Sequence, residues 1–116
     1  MLARIVLTGN PQSTNHLYKM GRSGLYMNDN GKVLKTDYWV QATQQYKTKP
    51  IDQKIKVEMQ IFFSDRIKRD VDNYSKIILD SLNKVVWVDD SLIVQLCITK
   101  NYDKMNPRAE LIIKKI

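Results

Sequence analysis

The run IKVEMQIFF, residues 55–63, and the run RDVDNYSKIILDSL, residues 69–82, follow one another in the chain and change its periodicity. From Lys54 the pattern is period two. Ile55, Val57, Met59, Ile61 and Phe63 fall on one side, and Lys56, Glu58, Gln60 and Phe62 on the other, as in a strand with one face buried. After Ser64-Asp65 and the basic Arg66-Ile67-Lys68-Arg69, Val71, Tyr74, Ile78 and Leu82 recur at helical spacing, supported by Ile77 and Val85. The spacing predicts a helix of about fourteen residues, ~20 Å long, starting at Asp70 or Asp72. Either aspartate suits a helix start, where a short acidic side chain accepts from free N–H groups.

Strands read outward from this pair. Leu2 to Thr8 is rich in branched residues and stops at Gly9-Asn10-Pro11. The glycines all lie at or before Gly31, and Gly21-Arg22-Ser23-Gly24 between short apolar segments suits a hairpin or mobile loop carrying Lys19 and Arg22. Asn28, Asp29 and Asn30 offer caps to a helix from about Gly31 to Lys47, with Val33, Leu34, Tyr38, Ala42 and Tyr46 on one face and Lys32 and Lys35 on another; Pro50 stops it. Leu92 to Thr99 alternates as a strand, and Asn106-Pro107 separates it from a last strand, about Arg108 to Lys115, with Ala109, Leu111 and Ile113 inward; the two are expected to pair antiparallel. The expected fold is one α/β domain over residues 1–116, with a mixed sheet of about four main strands plus a hairpin, covered by two helices.

The 116 residues can bury one core without staples. A formal charge of +7 argues for a polyanionic partner, nucleic acid most simply, although a membrane-surface or ribosomal protein has the same balance. The N-terminal apolar run is too short for a signal peptide, and nowhere do eighteen apolar residues follow one another, so a soluble, cytoplasmic protein with no membrane partner is expected. Cys97, the one cysteine, reads as a small buried hydrophobe in an apolar run, and Trp39 and Trp87 read as packing residues. His16 has no cysteine beside it, so a zinc site is not expected, and a loop position is.

Six of the twelve acidic residues, Asp65, Asp70, Asp72, Asp80, Asp89 and Asp90, crowd into the central stretch of this basic chain. Crowded carboxylates repel unless a cation, a proton or open water offsets them. Mg2+ is bound through one or two carboxylates together with waters and substrate phosphates, which suits a partly open acidic site facing a phosphate backbone. A solvated helix laced by pairs along Asp72, Lys76, Asp80 and Lys84 explains that line without any function. It leaves Asp70 beside Asp72, and the second pair Asp89-Asp90 after Trp87, unexplained. Spacing alone does not bring Asp90 to Asp70; a partner chain or sheet curvature could.

The blocks Arg69-Asp70-Val71-Asp72-Asn73, then Lys76, Asp80 and Leu82, then Trp87-Val88-Asp89-Asp90, resemble the signature of the RusA family of Holliday junction resolvases. Pro11-Gln12-Ser13-Thr14-Asn15 is similar to that family's early Pro-x-Ser-x-Asn segment, and together the matches cover nearly the whole chain. The resemblance implies a homodimeric, Mg2+-dependent endonuclease, with Mn2+ as a possible substitute, that makes paired incisions in four-way DNA junctions. It implies metal binding by Asp70, Asp72 and Asp90, a catalytic role for Lys76, a phosphate contact at Arg69, and supporting positions at Asp89 and Asn73. One departure is Val85-Val86 where family members commonly have a glycine, in a connection one residue shorter, which bears on the placement of Asp90. Lys19, Arg22, Lys32, Lys35, Lys68 and Arg69 are the expected DNA contacts, with strong salt dependence and little base readout. Tyr18 and Tyr26 could wedge into an opened junction. The alternatives are a non-catalytic binder of branched DNA with the same fold, and a nuclease preferring flaps or forks.

Overall fold

The computed structural model describes residues 1–116. In chain order the elements are β1 (Ala3–Thr8), α1 (Thr14–Leu17), β2 (Tyr18–Gly21), β3 (Gly24–Met27), α2 (Asp29–Gln45), β4 (Ile55–Phe63), α3 (Ser75–Leu82), β5 (Ile93–Tyr102) and β6 (Arg108–Lys115), with 3-10 turns at Val71–Tyr74 and Asp90–Leu92. The main sheet has the order β1-β6-β4-β5, and β2 and β3 form a separate hairpin. This is a single α/β domain with a mixed sheet and a hairpin, as the periodicities indicate. A one-turn helix, α1, adds to the two expected ones and carries His16, which is exposed but helical where the sequence suggests a loop.

β4 lies between two neighbours, and its inward side chains Ile55, Val57, Met59, Ile61 and Phe63 are all buried. Each such side chain contributes about 1.5–3 kcal/mol on burial. Beside them on the same face of the sheet are Ile5 and Leu7 of β1 and Ala109, Leu111 and Ile113 of β6, and Ile77, Ile78 and Leu82 of α3 join the same core. Phe63 also meets Tyr74 edge to face, with ring centroids 4.9 Å apart.

The expected antiparallel pairing of β5 with β6 does not occur. β5 runs parallel to β4 on one side, and β6 runs antiparallel to β4 on the other. The helix between β4 and β5 is the reason, because a crossover through a helix returns the chain parallel to its starting strand. The loop after β5 then passes over the end of β4, where the Asp103 N–H donates to the Phe63 carbonyl at 2.8 Å. The five residues 103–107 readily bridge the ~10 Å between strands two apart.

α2 starts at Asn28, whose side chain accepts from the Gly31 N–H at 2.8 Å. Gly31 is required by close packing: a Cβ there would stand 2.8 Å from the Leu17 carbonyl oxygen. The inward residues Tyr38 and Ala42 are buried, but Val33 and Trp39 are exposed, contrary to the sequence reading. The sheet-facing positions of α2 explain the difference. Gln41 and Gln45 use them to hydrogen-bond the backbone of β1 at Thr8 and Val6, so the helix is seated partly by polar contacts and its apolar residues are spread around it. Cys97, expected inside, is exposed as well, because β5 is an edge strand.

At the start of β6, Arg108 is paired with Asp103 at 2.8 Å and with Glu110, which Arg4 also reaches at 3.0 Å. These guanidinium contacts hold Asp103 and Glu110 below the ordinary carboxylate range. A carboxylate depressed in the folded state contributes stability that is complete above its unfolded pKa, near 4, and is lost as pH falls through the lower folded value. Glu110→Gln is therefore expected to lower stability at pH 7 by about 0.5 kcal/mol, the discounted worth of a solvent-screened pair, and to flatten the loss of melting temperature below pH 4. Thermal melts from pH 7 to 2 check this. Parallel acid curves for the two proteins would sink it.

Candidate active site

The chain leaves β4 through Ser64-Asp65 and turns under its own aromatic end. The Asp65 carboxylate holds Arg69 at 2.7 Å, and the Arg69 guanidinium lies over the Phe63 ring, 4.6 Å from its centroid. Each partner fixes the charge of the other: the hydrogen bond with Arg69 holds Asp65 below the ordinary carboxylate range, and Asp65 pushes Arg69 up. Arg66 covers the Tyr102 ring at 4.1 Å, and the Lys100 ammonium donates to the Arg69 carbonyl at 3.0 Å. Together with Lys68, Ile67 and Asn101 these groups line a cavity of about 240 Å3. Four cations and one carboxylate make it an anion-attracting recess immediately before Asp70.

Asp70 and Asp72 differ from the sequence reading in an informative way. Asp70 stands at the N-cap of the first 3-10 turn, but its side chain makes no capping bond, and Asp72 lies within that turn. Both are exposed, and neither carboxylate receives a hydrogen bond or ion pair. Two positions apart, their Cα atoms are within ~7 Å, so two free carboxylates stand beside the basic recess. Asn73 closes the turn, its N–H donating to the Asp70 carbonyl at 3.1 Å.

α3 is eight residues long rather than fourteen. Its end is set by Lys84, which takes a left-handed φ of 69° and so drops out of the expected charged line. The following chain is pinned to Ile51: the Ile51 N–H donates to the Val86 carbonyl at 2.8 Å and the Val88 N–H to the Ile51 carbonyl at 2.9 Å. That places Trp87 in the core, fully buried. Its indole N–H donates to the Asp90 carboxylate at 2.7 Å. Burial raises the Asp90 pKa against the effect of this bond, and the nearby charge of Asp80 raises it further. Asp89 accepts from the Ser91 N–H at 2.9 Å, and its hydrogen bonding to the side chain and then the backbone of Ser91 holds its carboxyl low.

Lys76 is tied to Asp80 at 3.1 Å and sits 5.0 Å from the centre of the Tyr18 ring, whose hydroxyl donates to the same Asp80 oxygen at 2.7 Å. Burial, then Asp80, push the Tyr18 pKa up. Tyr18 is thus engaged with α3 and unavailable as a wedge, while Tyr26, Met20 and Leu25 remain exposed on the hairpin. Lys19, Arg22, Lys32, Lys35 and Lys68 are exposed, and Arg69 is partly covered by its partners. Sequence reasoning missed Arg66, Lys100 and Tyr102 in the recess and Tyr18 against Lys76. A strand's end and a loop meet only in the fold, and no local spacing signals it.

The structure does not gather three acidic side chains into one coordination group. Asp90 is near Asp80 and Lys76, while Asp70 and Asp72 stand free. Two unengaged carboxylates do fit a hard divalent ion of the Mg2+ type, which takes one or two protein carboxylates and completes its shell with water and phosphate oxygens. They do not form a cage made by the protein alone.

Comparison with known proteins places the chain in a family. A region of 49 residues, 42% of this chain, is 43% identical to the uncharacterized protein YqaN of Bacillus subtilis (strain 168), and covers 34% of that protein. Over 111 residues the chain is 25% identical to the crossover junction endodeoxyribonuclease RusA of Escherichia coli O139:H28 and 26% identical to that of Shigella sonnei, covering 91% of this chain and 89% of each relative. The family model described as endodeoxyribonuclease RusA matches residues 8–114, a span that holds the recess, both free carboxylates, Lys76 and Asp90, and so the chain belongs to the RusA family of metal-dependent endodeoxyribonucleases.

Proposed function

We propose that this chain, acting over residues 1–116 as one endonuclease domain, resolves four-way DNA junctions by paired symmetric nicks. It works as a homodimer in the cytoplasm, with Mg2+ as its metal and Mn2+ as a substitute. The observation that carries this reading is the pair of free carboxylates, Asp70 and Asp72, set directly after a recess lined by Arg66, Lys68, Arg69 and Lys100. A surface that only bound DNA would lose affinity by holding unpaired aspartates against phosphates. The family and the crossover-junction relatives support the same reaction.

Asp70 and Asp72 would hold the metal, with Asp90 brought to it only on assembly of the homodimer; the metal would polarise a phosphate oxygen and lower the pKa of water. The chain's own groups do the rest. Arg69, its orientation fixed by Asp65 and Phe63, and Lys100, anchored on the Arg69 carbonyl, place a backbone phosphate beside the carboxylates. Lys76, held in place by Asp80, offers positive charge where negative charge develops on the phosphate. Trp87 fixes which Asp90 oxygen is free, and Asp89 and Asn73 hold the turns that carry Asp90 and Asp70. Lys19, Arg22, Lys32 and Lys35 grip the arms of the junction through phosphates, with affinity falling steeply with salt.

The test is incubation with a labelled synthetic four-way junction and a matched linear duplex, with Mg2+ or EDTA. The expected result is symmetric nicking of the junction alone, abolished by EDTA. Junction binding without cleavage under Mg2+ or Mn2+ would replace this reading with a non-catalytic binder, and preferential cleavage of flaps or forks would retain the chemistry and change the substrate.

A further inference from the structure

Lys76 occupies an electrostatically poor place. It is the second residue of α3, at the end of the helix where unpaired backbone N–H groups concentrate positive charge, and a cation is disfavoured there. Its partner Asp80 stands four residues further on, and a helical pair in that order is weaker than its reverse. Such a pair is small beside the rotamer freedom that a lysine side chain gives up when it is fixed. α3 by itself therefore leaves the Lys76 ammonium free to wander, although a group that meets charge on a phosphate has to be held in register with it.

A second element supplies what the helix lacks. Tyr18 opens β2, and its hydroxyl donates to Asp80 Oδ2 at 2.7 Å, the same oxygen that accepts from Lys76 Nζ at 3.1 Å. The Tyr18 ring also faces the ammonium, with Nζ 5.0 Å from its centroid, in range of a cation–π attraction. Tyr18 is itself firmly mounted. Leu17 before it is fully buried, the Leu17 carbonyl accepts from the Asn28 N–H at 2.8 Å, and the His16 carbonyl accepts from the Asn28 side chain at 2.6 Å. The base of the hairpin is thus fixed to the start of α2, and from there one tyrosine braces both members of the pair on α3.

We infer that Tyr18 is a positioning residue for the cleavage reaction, holding the Lys76 ammonium in one place through Asp80 and through its own ring. The inference rests on the nuclease activity and the role of Lys76 in the proposed function. Two features suit it. An ammonium has three N–H donors; Asp80 engages it from one side, and the Lys76 side chain remains 44% exposed, so the remaining donors are open to phosphate oxygens. The phenol donates to the oxygen that anchors the lysine and stabilises its negative charge, so Asp80 fixes Lys76 while offsetting less of the positive charge that the reaction uses.

The test compares the natural chain with Tyr18→Phe, which keeps the ring and removes only the hydroxyl, and with Asp80→Asn, which weakens the same contact from the helix side. Single-turnover cleavage of the four-way junction in Mg2+ is expected to slow about tenfold in each, with junction affinity within about twofold of natural. The double variant is expected to be little slower than Asp80→Asn alone. NMR relaxation of the lysine side-chain nitrogens reads the positioning without any reaction: the Lys76 ammonium is expected to be ordered in the natural chain and mobile in Tyr18→Phe. Natural cleavage by either folded variant, a loss of affinity that accounts for the slower cleavage, or a Lys76 ammonium equally mobile in both chains would overturn the role of Tyr18 and leave the nuclease standing. A natural chain that cuts no junction would overturn the proposed function and this role together.

Discussion

Asp72→Asn is expected to reduce junction cleavage by roughly 10^3-fold or more while junction binding stays equal or becomes slightly tighter. The carboxylate is exposed and accepts no hydrogen bond, so the amide removes no structural contact, and melting temperature should move by less than about 0.5 kcal/mol equivalent. What it removes is one negative oxygen donor from a site with only two free ones. Metal-assisted stabilisation of a phosphoryl transition state is worth several kcal/mol, and each 1.4 kcal/mol is about a factor of ten in rate. The binding sign follows from the recess beside it: deleting a negative charge next to four cations makes the surface more attractive to phosphate. Single-turnover cleavage and equilibrium binding, measured on the same junction at one salt concentration, separate the two effects. Near-natural cleavage in the variant would remove Asp72 from the site. Loss of binding together with cleavage would make Asp72 a structural residue instead.

Much of the fold was legible because periodicity reports burial directly. The alternation of Ile55 to Phe63 and of Ala109 to Ile113 located two strands and their inward faces, and Ile77, Ile78 and Leu82 are buried as the helical stripe required. Errors arose where burial was not the deciding term. Nothing in the spacing of Leu92 to Thr99 separates an edge strand from a central one, so Cys97 read as interior. Pairing of β5 with β6 looked natural for successive strands, but the helix preceding β5 had already committed it to β4. The charged line along α3 failed at Lys84 because its left-handed turn answers to the Ile51–Trp87 bridge, a contact between distant residues.

The candidate site was legible only as chemistry. The aspartates stood out because like charges clustered in a basic chain need a cation. Their surroundings did not, since the recess is built where β4, the loop after it and the far end of β5 meet, from residues as distant in sequence as Arg66 and Tyr102. The free state of Asp70 and Asp72 was likewise hidden. Either could have capped a helix, and the 3-10 turn that begins there leaves both side chains unspent.

Trp87 should separate stability from catalysis when two substitutions are compared. Trp87→Ala is expected to cost about 3–5 kcal/mol, the usual range for deleting a buried aromatic, a large part of the ~5–15 kcal/mol that holds such a domain together. The side chain is fully buried among the core residues at the end of α3, in a segment pinned on both sides by Ile51, so collapse into the cavity is restricted. Trp87→Phe keeps most of the apolar ring and should cost about 1–2 kcal/mol, leaving the protein folded at 25 °C. It removes the indole N–H that holds Asp90 at 2.7 Å. Groups that orient a metal-binding side chain typically alter activity by about 10- to 100-fold when lost, and a decrease in cleavage of that size is expected for the phenylalanine variant at saturating Mg2+. Because it acts through Asp90, adding Asp90→Asn to Trp87→Phe should produce little further loss beyond Asp90→Asn alone. Melting curves and single-turnover rates for the natural chain and the four variants settle both halves. Full cleavage by a folded Trp87→Phe variant would show that Asp90 needs no such hold, and additive losses in the double variant would mean that the indole serves the reaction by a route other than Asp90.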